Sequence, residues 1–227
     1  TKGGTKMVEI ATSILTVPKD KIIKTIYNLE TAKTDYFHID VMDGLFVESF
    51  TNEIMEEYCK YIKSISNIPL DIHLMVKDVK KYIDIYLNYE PNIITFHIEA
   101  IKNEKQAIEL INYIKSNNCK VGIAINPNTD ISKIYNLLKY IHMVTIMTVE
   151  PGKGGQALIP ETLNKIEELK NYIEENNIEI DIEADGGIKV NNVQNVKTKG
   201  ANIIVSGSGI INSDNYGDTI KKMKEEI

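Results

Sequence analysis

Two histidines and two aspartates close three apolar, β-branched runs of this sequence. His38 and Asp40 stand two residues apart in the first run, His73 closes the second, and Asp185 closes the third. Residues two apart on a strand point to the same face, so His38 and Asp40 are expected to project together. Two imidazoles and two carboxylates could bind a divalent metal, transfer protons, or do both. This donor set favours Zn²⁺, with Fe²⁺, Mn²⁺ or Co²⁺ as alternatives, over Mg²⁺, which prefers oxygen and water.

A structural interpretation competes for each of these residues taken alone. A single histidine at a strand end is more often a hydrogen-bonded structural residue, and an aspartate before glycine, as in Asp43-Gly44 and Asp185-Gly186, is more often a turn residue. Four such residues on one edge of a fold are hard to obtain from turn chemistry, so the joint pattern favours a functional site. The structural interpretation is kept for His97, which ends a predicted strand and could line the same edge, and for His142, which begins one.

Short β-branched runs alternate with longer helical periods along the chain. The predicted strands span 8–14, 35–41, 69–75, 93–98, 120–125, 142–148, 178–184 and 202–206. The predicted helices span 18–31, 52–65, 78–89, 103–117, 130–139, 160–176, 189–198 and 211–226. Eight strand–helix units predict the α/β class and a single closed (β/α)₈ TIM barrel, whose active site lies at the carboxyl ends of the strands. An open, doubly wound sheet is the alternative, but the glycine-rich turn typical of it does not follow Ile14.

The composition fits one barrel domain over residues 1–227 and narrows the function classes. Such a barrel takes about 250 residues, with a lower limit of about 200, and 43% of the 227 residues are hydrophobic. A net charge of −6 and a pI of 5.4 argue against a nucleic-acid partner, and no apolar run reaches the roughly 18 residues of a membrane span. Cys59 and Cys119 are expected to be reduced thiols in a cytoplasmic protein. Residues 1–6 are expected to form a disordered tail.

Glycine-rich segments follow three of the predicted strands on the same edge. Gly186-Gly187 follows the seventh strand and residues 206–209 follow the eighth, the two places where barrels of this kind often hold a phosphate. Bare backbone N–H groups at the start of a helix bind an anion. The loop at 150–156 is predicted to be a mobile flap in which Lys153 could add a positive charge, with an ordinary surface loop as the alternative.

Three methionines, Met42, Met75 and Met147, also end predicted strands on this edge. Methionine commonly fills irregular gaps in a core. The alternative is an apolar lining that keeps water away from the metal and the reacting carbon.

Segments spread almost end to end resemble one enzyme family. They are Ser13-Ile14-Leu15, HIDVMDGLFV (38–47), DIHLMV (71–76), ITFHIEA (94–100), GIAINPNT (122–129), MTVEPGKGGQ (147–156), IEADGGI (182–188) and VSGSGI (205–210). The combination around Asp40, His73 and Met147 is highly specific, whereas the last segment alone is weak. On these segments the chain resembles the ribulose-phosphate 3-epimerase family, whose fold is a ribulose-phosphate-binding (β/α)₈ barrel.

The resemblance implies a cytoplasmic isomerase of the pentose phosphate pathway that inverts C3 of a phosphorylated ketose, D-ribulose 5-phosphate to D-xylulose 5-phosphate. It implies one divalent metal held by His38, Asp40, His73 and Asp185, with Asp40 and Asp185 also the acid–base pair. It implies a substrate contact from Ser13 and a phosphate held by the flap glycines Gly152, Gly154 and Gly155 together with Gly187, Gly207 and Ser208. The other candidate substrate-binding residues are Met42, His73, Met75, Met147 and Gln156. A homo-oligomer is expected, with neither a nucleic-acid nor a membrane partner.

Several residues near the expected site depart from the family pattern. Where the family usually has His-Phe-Val-Pro-Asn, residues 45–49 read Leu45, Phe46, Val47, Glu48 and Ser49, and Lys153 stands where the flap usually carries Phe. The stretches 35–40 and 159–170 also resemble the D-allulose-6-phosphate 3-epimerase branch. The choice between a five-carbon and a six-carbon substrate therefore stays open.

Epimerisation next to a ketone removes a proton from one face of the carbon and returns one to the other. One base cannot easily serve both faces, so Asp40 and Asp185 are predicted to act from opposed sides through an enediolate, stabilised by the metal. The alternatives are the same chemistry on D-allulose 6-phosphate, a phosphate-barrel decarboxylase, and a non-catalytic sugar-phosphate-binding protein. A decarboxylase resembling orotidine-phosphate decarboxylase would carry Asp-x-Lys-x-x-Asp, but Val41 and Met42 follow Asp40.

Overall fold

Eight short strands rich in β-branched residues form the inner wall of the fold. In the computed structural model, which describes residues 7–225, they are β1 (Glu9–Ser13), β2 (Tyr36–Met42), β3 (Leu70–Met75), β4 (Ile93–His97), β5 (Lys120–Ile125), β6 (Met143–Met147), β7 (Asp181–Asp185) and β8 (Ile203–Ser206). Neighbouring strands are parallel and β8 pairs with β1, so the sheet closes in sequence order. The predicted (β/α)₈ TIM barrel is confirmed. The tail predicted at 1–6 lies outside the described residues.

The helices surround this barrel and bury one apolar face each against it. They are α1 (Ile22–Thr31), α2 (Asn52–Ile65), α3 (Val79–Leu87), α4 (Glu104–Ser116), α5 (Thr162–Glu175), α6 (Val193–Thr198), α7 (Ser208–Ile211) and α8 (Tyr216–Lys224). Helix α5 shows the pattern, because Ile166, Leu169 and Ile173 recur at three- and four-residue spacing and are all buried. Between residues 7 and 225, none of the helices is both long and apolar enough to cross a membrane.

Two predicted helices differ from the observed ones. The helix predicted at 130–139 is a 3₁₀ helix, Ile131–Tyr140. Its buried residues Ile131, Ile134 and Leu137 are spaced by three, which suits three residues per turn as well as 3.6, so the pattern cannot distinguish the two windings. The helix predicted at 211–226 begins later, as α8 at Tyr216, because the Asn215 side chain accepts a hydrogen bond from the Asp218 N–H and caps the helix start there. The short helix α7, which precedes it, was not predicted.

Alternation along the strands separates an apolar outer layer from a polar interior. On β2, Phe37, Ile39 and Val41 pack outward in the large core between barrel and helices. The interior holds one small apolar cluster, made of Ala11, Ile93, Met143, Ile203 and Val205. His38 and Asp40, which alternate with the outward residues of β2, are therefore inside the barrel, as the two-residue spacing predicts.

Candidate active site

The structure brings the four predicted metal ligands together at the carboxyl end of the barrel. Asp40 of β2 lies in register with His73 of β3, and Asp185 is the last residue of β7. One ligand atom from each of His38, Asp40, His73 and Asp185 lies within 4.8 Å of all the others. Strands β2, β3 and β7 are thus the elements that hold the set.

Both imidazoles turn a nitrogen toward both carboxylates. His38 Nε2 lies 3.4 Å from Asp40 Oδ1 and 3.5 Å from Asp185 Oδ2. His73 Nδ1 lies 3.4 Å from Asp40 Oδ1 and 3.2 Å from Asp185 Oδ2. The two aspartates therefore share the same pair of nitrogens, although they come from strands three positions apart around the barrel.

This donor set fits a divalent cation. His38 Nε2 and His73 Nδ1 are buried and make no hydrogen bond, although unsatisfied buried polar atoms are costly. Both atoms belong to the four-residue cluster, and the same atoms of neutral imidazoles are metal ligands. A cation between the imidazoles and the carboxylates would satisfy both nitrogens at once.

The electrostatics of the cluster also favour positive charge. Burial lowers the pKa of His38, but the charges of Asp71 and Asp40 outweigh it and the pKa is raised. Burial likewise lowers the pKa of His73, and the close approach of Asp185 and Asp40 raises it overall. Burial raises the pKa of both Asp40 and Asp185, whereas the neighbouring imidazoles, His38 first, lower it below the usual value. The two carboxylates therefore favour positive charge beside them, either as protons on the imidazoles or as a metal cation.

A second pair of buried acids supports His38 from the other side. His38 Nδ1 lies 2.5 Å from Asp71 Oδ2, so a proton on Nδ1 leaves Nε2 free to face the cluster. Glu183 accepts a hydrogen bond from Thr145 Oγ1 at 2.8 Å, and burial together with the Asp71 charge raises its pKa well above the usual value. Neither acid was assigned a role from the sequence. The available signal was their position two residues before His73 and Asp185, on the same face of β3 and β7.

His97 and Glu99 were also missed as part of the site. The structural interpretation of His97 holds in that its side chain is fully buried and hydrogen-bonded, but the bond, 2.8 Å between the two Nε2 atoms, is to His73. Its Nδ1 lies 3.2 Å from Glu99 Oε2. His142 matches the structural interpretation, since it precedes β6 and its Nδ1 accepts a hydrogen bond from the Val121 N–H.

Above the cluster lies a cavity of about 70 Å³, called here the mouth cavity. Its lining includes Ser13, Asp40, Met42, Met75, Met147, Gly152, Lys153, Gly154, Gly155, Gln156, Asp185, Gly187, Gly207 and Ser208. The predicted substrate-binding residues therefore meet in one place, with one exception: His73 is buried and does not line the cavity. Because β3 carries His73 one layer below the rim residue Met75, its imidazole can reach the cluster but not the mouth cavity.

Ser13 and Gln156 make contacts that define their positions. Ser13 Oγ donates a hydrogen bond to Asp40 Oδ2 at 2.7 Å, so it orients one of the two central carboxylates. Gln156, predicted to contact substrate, uses its side-chain N–H groups on the flap itself, bonding the Glu150 and Lys153 carbonyl oxygens at 2.7 and 2.8 Å. Gln156 therefore braces the flap in this structure.

The flap packs closely onto the loops that surround it. Gly187 has a φ of +68°, and a side-chain carbon there would lie 2.3 Å from the Leu158 nitrogen, so only glycine lets the flap end approach. Gly152 lies against Val47 of the loop after β2. Asp43, at the start of that loop, accepts hydrogen bonds from the Leu45 and Phe46 N–H groups, which is the turn role expected of an aspartate before glycine.

The fold and this cluster define a (β/α)₈-barrel enzyme with paired histidines and aspartates at the catalytic end of its strands. Residues 9–211 match the sequence profile of the family described as "Ribulose-phosphate 3 epimerase family". The ribulose-phosphate 3-epimerase of Escherichia coli (strain K12) is 35% identical over 226 residues, covering 98% of this chain and 97% of that protein. The protein of the same name from Methanocaldococcus jannaschii is 37% identical over 221 residues, covering 96% and 91%.

The chain belongs to the ribulose-phosphate 3-epimerase family and is an epimerase, an enzyme of the isomerase class. Among solved structures, a 3-hexulose-6-phosphate synthase superposes with a TM-score of 0.71 at 13% identity, covering 95% of this chain and 98% of that one. At that identity the likeness concerns the fold alone.

Proposed function

We propose that this epimerase inverts C3 of a ketose phosphate, interconverting D-ribulose 5-phosphate and D-xylulose 5-phosphate, with Asp40 and Asp185 as the two acid–base groups. The observation that carries the proposal is the pair of aspartate side chains that share two imidazoles at the floor of the mouth cavity. The names of the similar proteins from Escherichia coli and Methanocaldococcus jannaschii support the five-carbon substrate.

The two carboxylates supply the proton chemistry. One aspartate takes the C3 proton, leaving the electron pair delocalised into the C2 carbonyl as an enediolate. The other aspartate, protonated at the start, returns a proton to the opposite face of C3, and the two exchange roles in the reverse direction. Ser13 Oγ, which donates to Asp40 Oδ2, holds one of these carboxylates in a fixed orientation.

His38, Asp40, His73 and Asp185 would hold one divalent metal, for which Zn²⁺ is the first candidate. When bound, such an ion acts as a Lewis acid toward the charge that develops on the substrate oxygens. The buried Met42, Met75 and Met147 side chains line the cavity and exclude water from the reacting carbon.

The substrate phosphate would lie between the flap and the loops after β7 and β8, near Gly187, Gly207 and Ser208. Lys153 is the only cationic side chain among the described residues that line the mouth cavity, whereas Asp40, Glu150 and Asp185 are acidic. A cation on the flap would offset this negative charge as a phosphate enters. A neutral Lys153→Met substitution should therefore raise KM more than it lowers kcat.

The alternative substrate is D-allulose 6-phosphate. The loop after β2, which departs from the family pattern at residues 45–49, reaches the flap through the contact of Val47 with Gly152. This loop therefore borders the mouth, where it can affect the length of sugar accepted.

The test is proton NMR in D₂O with metal-loaded protein and each sugar phosphate in turn. Loss of the C3 proton signal of D-ribulose 5-phosphate with growth of D-xylulose 5-phosphate is the expected result. Exchange on D-allulose 6-phosphate alone would move the protein to the six-carbon substrate. Silence on both sugars would leave a sugar-phosphate-binding protein and refute the mechanism. A cytoplasmic location, a role in the pentose phosphate pathway, a homo-oligomeric state and a single domain stay predictions.

A further inference from the structure

A line of hydrogen bonds runs from His73 to the loop after β5. His73 Nε2 and His97 Nε2 are 2.8 Å apart, and His97 Nδ1 lies 3.2 Å from Glu99 Oε2. The other oxygen, Glu99 Oε1, accepts hydrogen bonds from the Asn126 N–H at 2.8 Å and from Thr129 Oγ1. Both histidines are completely buried, so the line passes through the protein interior.

The chemistry of each atom fixes the direction of this line. Glu99 is an acceptor of every hydrogen bond it makes, so His97 Nδ1 must carry the proton that points at it. Neutral His97 then presents a lone pair at Nε2, which accepts only from a protonated His73 Nε2. A neutral His73 with its proton on Nε2 has its lone pair on Nδ1, the atom that faces Asp40 and Asp185.

We propose that His97 and Glu99 are positioning residues that hold His73 in the tautomer whose Nδ1 can bind the metal. The inference rests on the metal centre proposed above. It explains why an acidic residue stands at the outer end of the line, because a carboxylate there makes the His97 lone pair the better acceptor.

The two histidine ligands are supported differently. His38 has a carboxylate directly on its second nitrogen, Asp71 at 2.5 Å. His73 instead has the neutral ring of His97 on its second nitrogen, and the Glu99 carboxylate lies behind that ring. The second arrangement connects a metal ligand to the rim, because the loop that bonds Glu99 is also held by Lys165, whose Nζ donates to the carbonyl oxygens of Asn126, Pro127 and Thr129.

Ring packing also positions these two histidines. The rings of His73 and His97 stack with centroids 5.0 Å apart and an interplanar angle of 20°. Phe46, from the loop after β2, also packs on His97, with ring centroids 5.0 Å apart. His97 is therefore packed between two rings, and its substitution by another planar ring keeps this packing while removing the acceptor.

The first test measures metal affinity of the metal-free protein by competition with a chelator, using Zn²⁺ and Co²⁺. His97→Phe, which keeps the ring and loses the acceptor, should weaken binding about 10- to 100-fold, the usual effect of losing a hydrogen-bond partner behind a ligand. His97→Gln, which restores an acceptor oxygen, should recover part of that loss, and Glu99→Gln should fall between the wild type and His97→Phe. Glu167→Gln removes a carboxylate on α5 that bonds Lys199 and no histidine, so it should bind metal like the wild type.

The second test locates the proton. In Zn²⁺-loaded protein with ¹⁵N-labelled histidine, NMR should show a scalar coupling between the two Nε2 atoms across the hydrogen bond, with the proton covalently on His73. A role in packing alone would change thermal stability without fixing the position of this proton. A proton found on His97 Nε2 would overturn the proposal even where His97→Phe fails to fold.

The outcomes separate the two proposals. If the wild type binds metal tightly and both His97→Phe and Glu99→Gln bind it equally well, the positioning role is wrong and the metal centre stands. If the wild type binds neither metal, the metal centre and the positioning role are both wrong. The proposal is supported if His97→Phe loses the most metal affinity, Glu99→Gln and His97→Gln lose less, and Glu167→Gln binds metal like the wild type.

Discussion

Replacing Glu99 by glutamine should remove an acid-sensitive contribution to folding stability. Burial raises the pKa of Glu99, but the hydrogen bonds from His97, Thr129 and the Asn126 N–H outweigh it and lower the pKa to about 2, against an ordinary value of 4.5. The Glu99 side chain is 20% exposed, so solvent screens these contacts only in part. The gap between the two pKa values corresponds to on the order of 3 kcal/mol of unfolding free energy.

The pH dependence follows from the sign of that pKa change. Glu99 binds a proton more readily in the unfolded chain than in the folded protein, so its stabilising effect is complete above the unfolded pKa of 4.5 and is lost as the pH falls through about 2. Glutamine does not titrate. The difference in unfolding free energy between the wild type and Glu99→Gln should therefore be largest near neutral pH and shrink steadily below pH 4.5.

Urea unfolding of the metal-free protein at several pH values measures this difference. The chain has no tryptophan, so far-ultraviolet circular dichroism is the suitable signal. Thr129→Val removes one donor to Glu99 and should give a smaller effect of the same sign. In the Glu99→Gln background the same Thr129→Val change should no longer alter the pH dependence, because the two residues share one interaction. Parallel stability curves for the wild type and Glu99→Gln from neutral pH down to about pH 3 would refute this reasoning.

Further predictions concern catalysis, packing and thiol chemistry. Asp40→Asn and Asp185→Asn should each lower turnover by at least about 10²-fold with little change in the circular dichroism spectrum, and near-normal rates in either variant would contradict the two-base scheme. Gly122→Ala should destabilise the barrel by about 1–3 kcal/mol in urea unfolding, since the added carbon would lie 2.3 Å from Thr95 Oγ1; an unchanged midpoint would show that the interior repacks freely. Burial raises the pKa of Cys119 to about 12, so its thiol should react with Ellman's reagent at mildly alkaline pH only after unfolding. Rapid labelling of the native protein would show that the region around Cys119 opens in the folded state.

The sequence was sufficient to predict the elements that carry the site. The strand periodicity placed the ends of β2, β3 and β7 on one edge, and the two-residue spacing of His38 and Asp40 put both side chains inside the barrel. These are local properties, because the side-chain direction of a strand residue depends on the backbone around it. The four predicted ligands consequently meet within 4.8 Å of one another.

Local pattern was weaker where two conformations share a period or where a cap interrupts a helix. The helix predicted at 130–139 winds as a 3₁₀ helix, Ile131–Tyr140, and the helix predicted at 211–226 begins only at Tyr216, after the separate short helix α7. Gln156, which is predicted to contact substrate, lines the mouth cavity, and its side-chain N–H groups bond the Glu150 and Lys153 carbonyl oxygens. A flexible side chain chooses among such partners by tertiary distances that the sequence spacing does not contain.

The sequence by itself determined which chemical groups form the site and at which edge of the fold they lie. These are two imidazoles, two carboxylates and glycine-rich loops on the same rim of a closed barrel. Only the tertiary structure decided which nitrogen of each histidine faces the cluster. That choice depends on Asp71 behind His38 and on His97 and Glu99 behind His73. Asp71 is 33 positions along the chain from His38, and His97 is 24 positions from His73. A tautomer is set by the partner on the opposite nitrogen, and that partner is known only once neighbouring strands are in register.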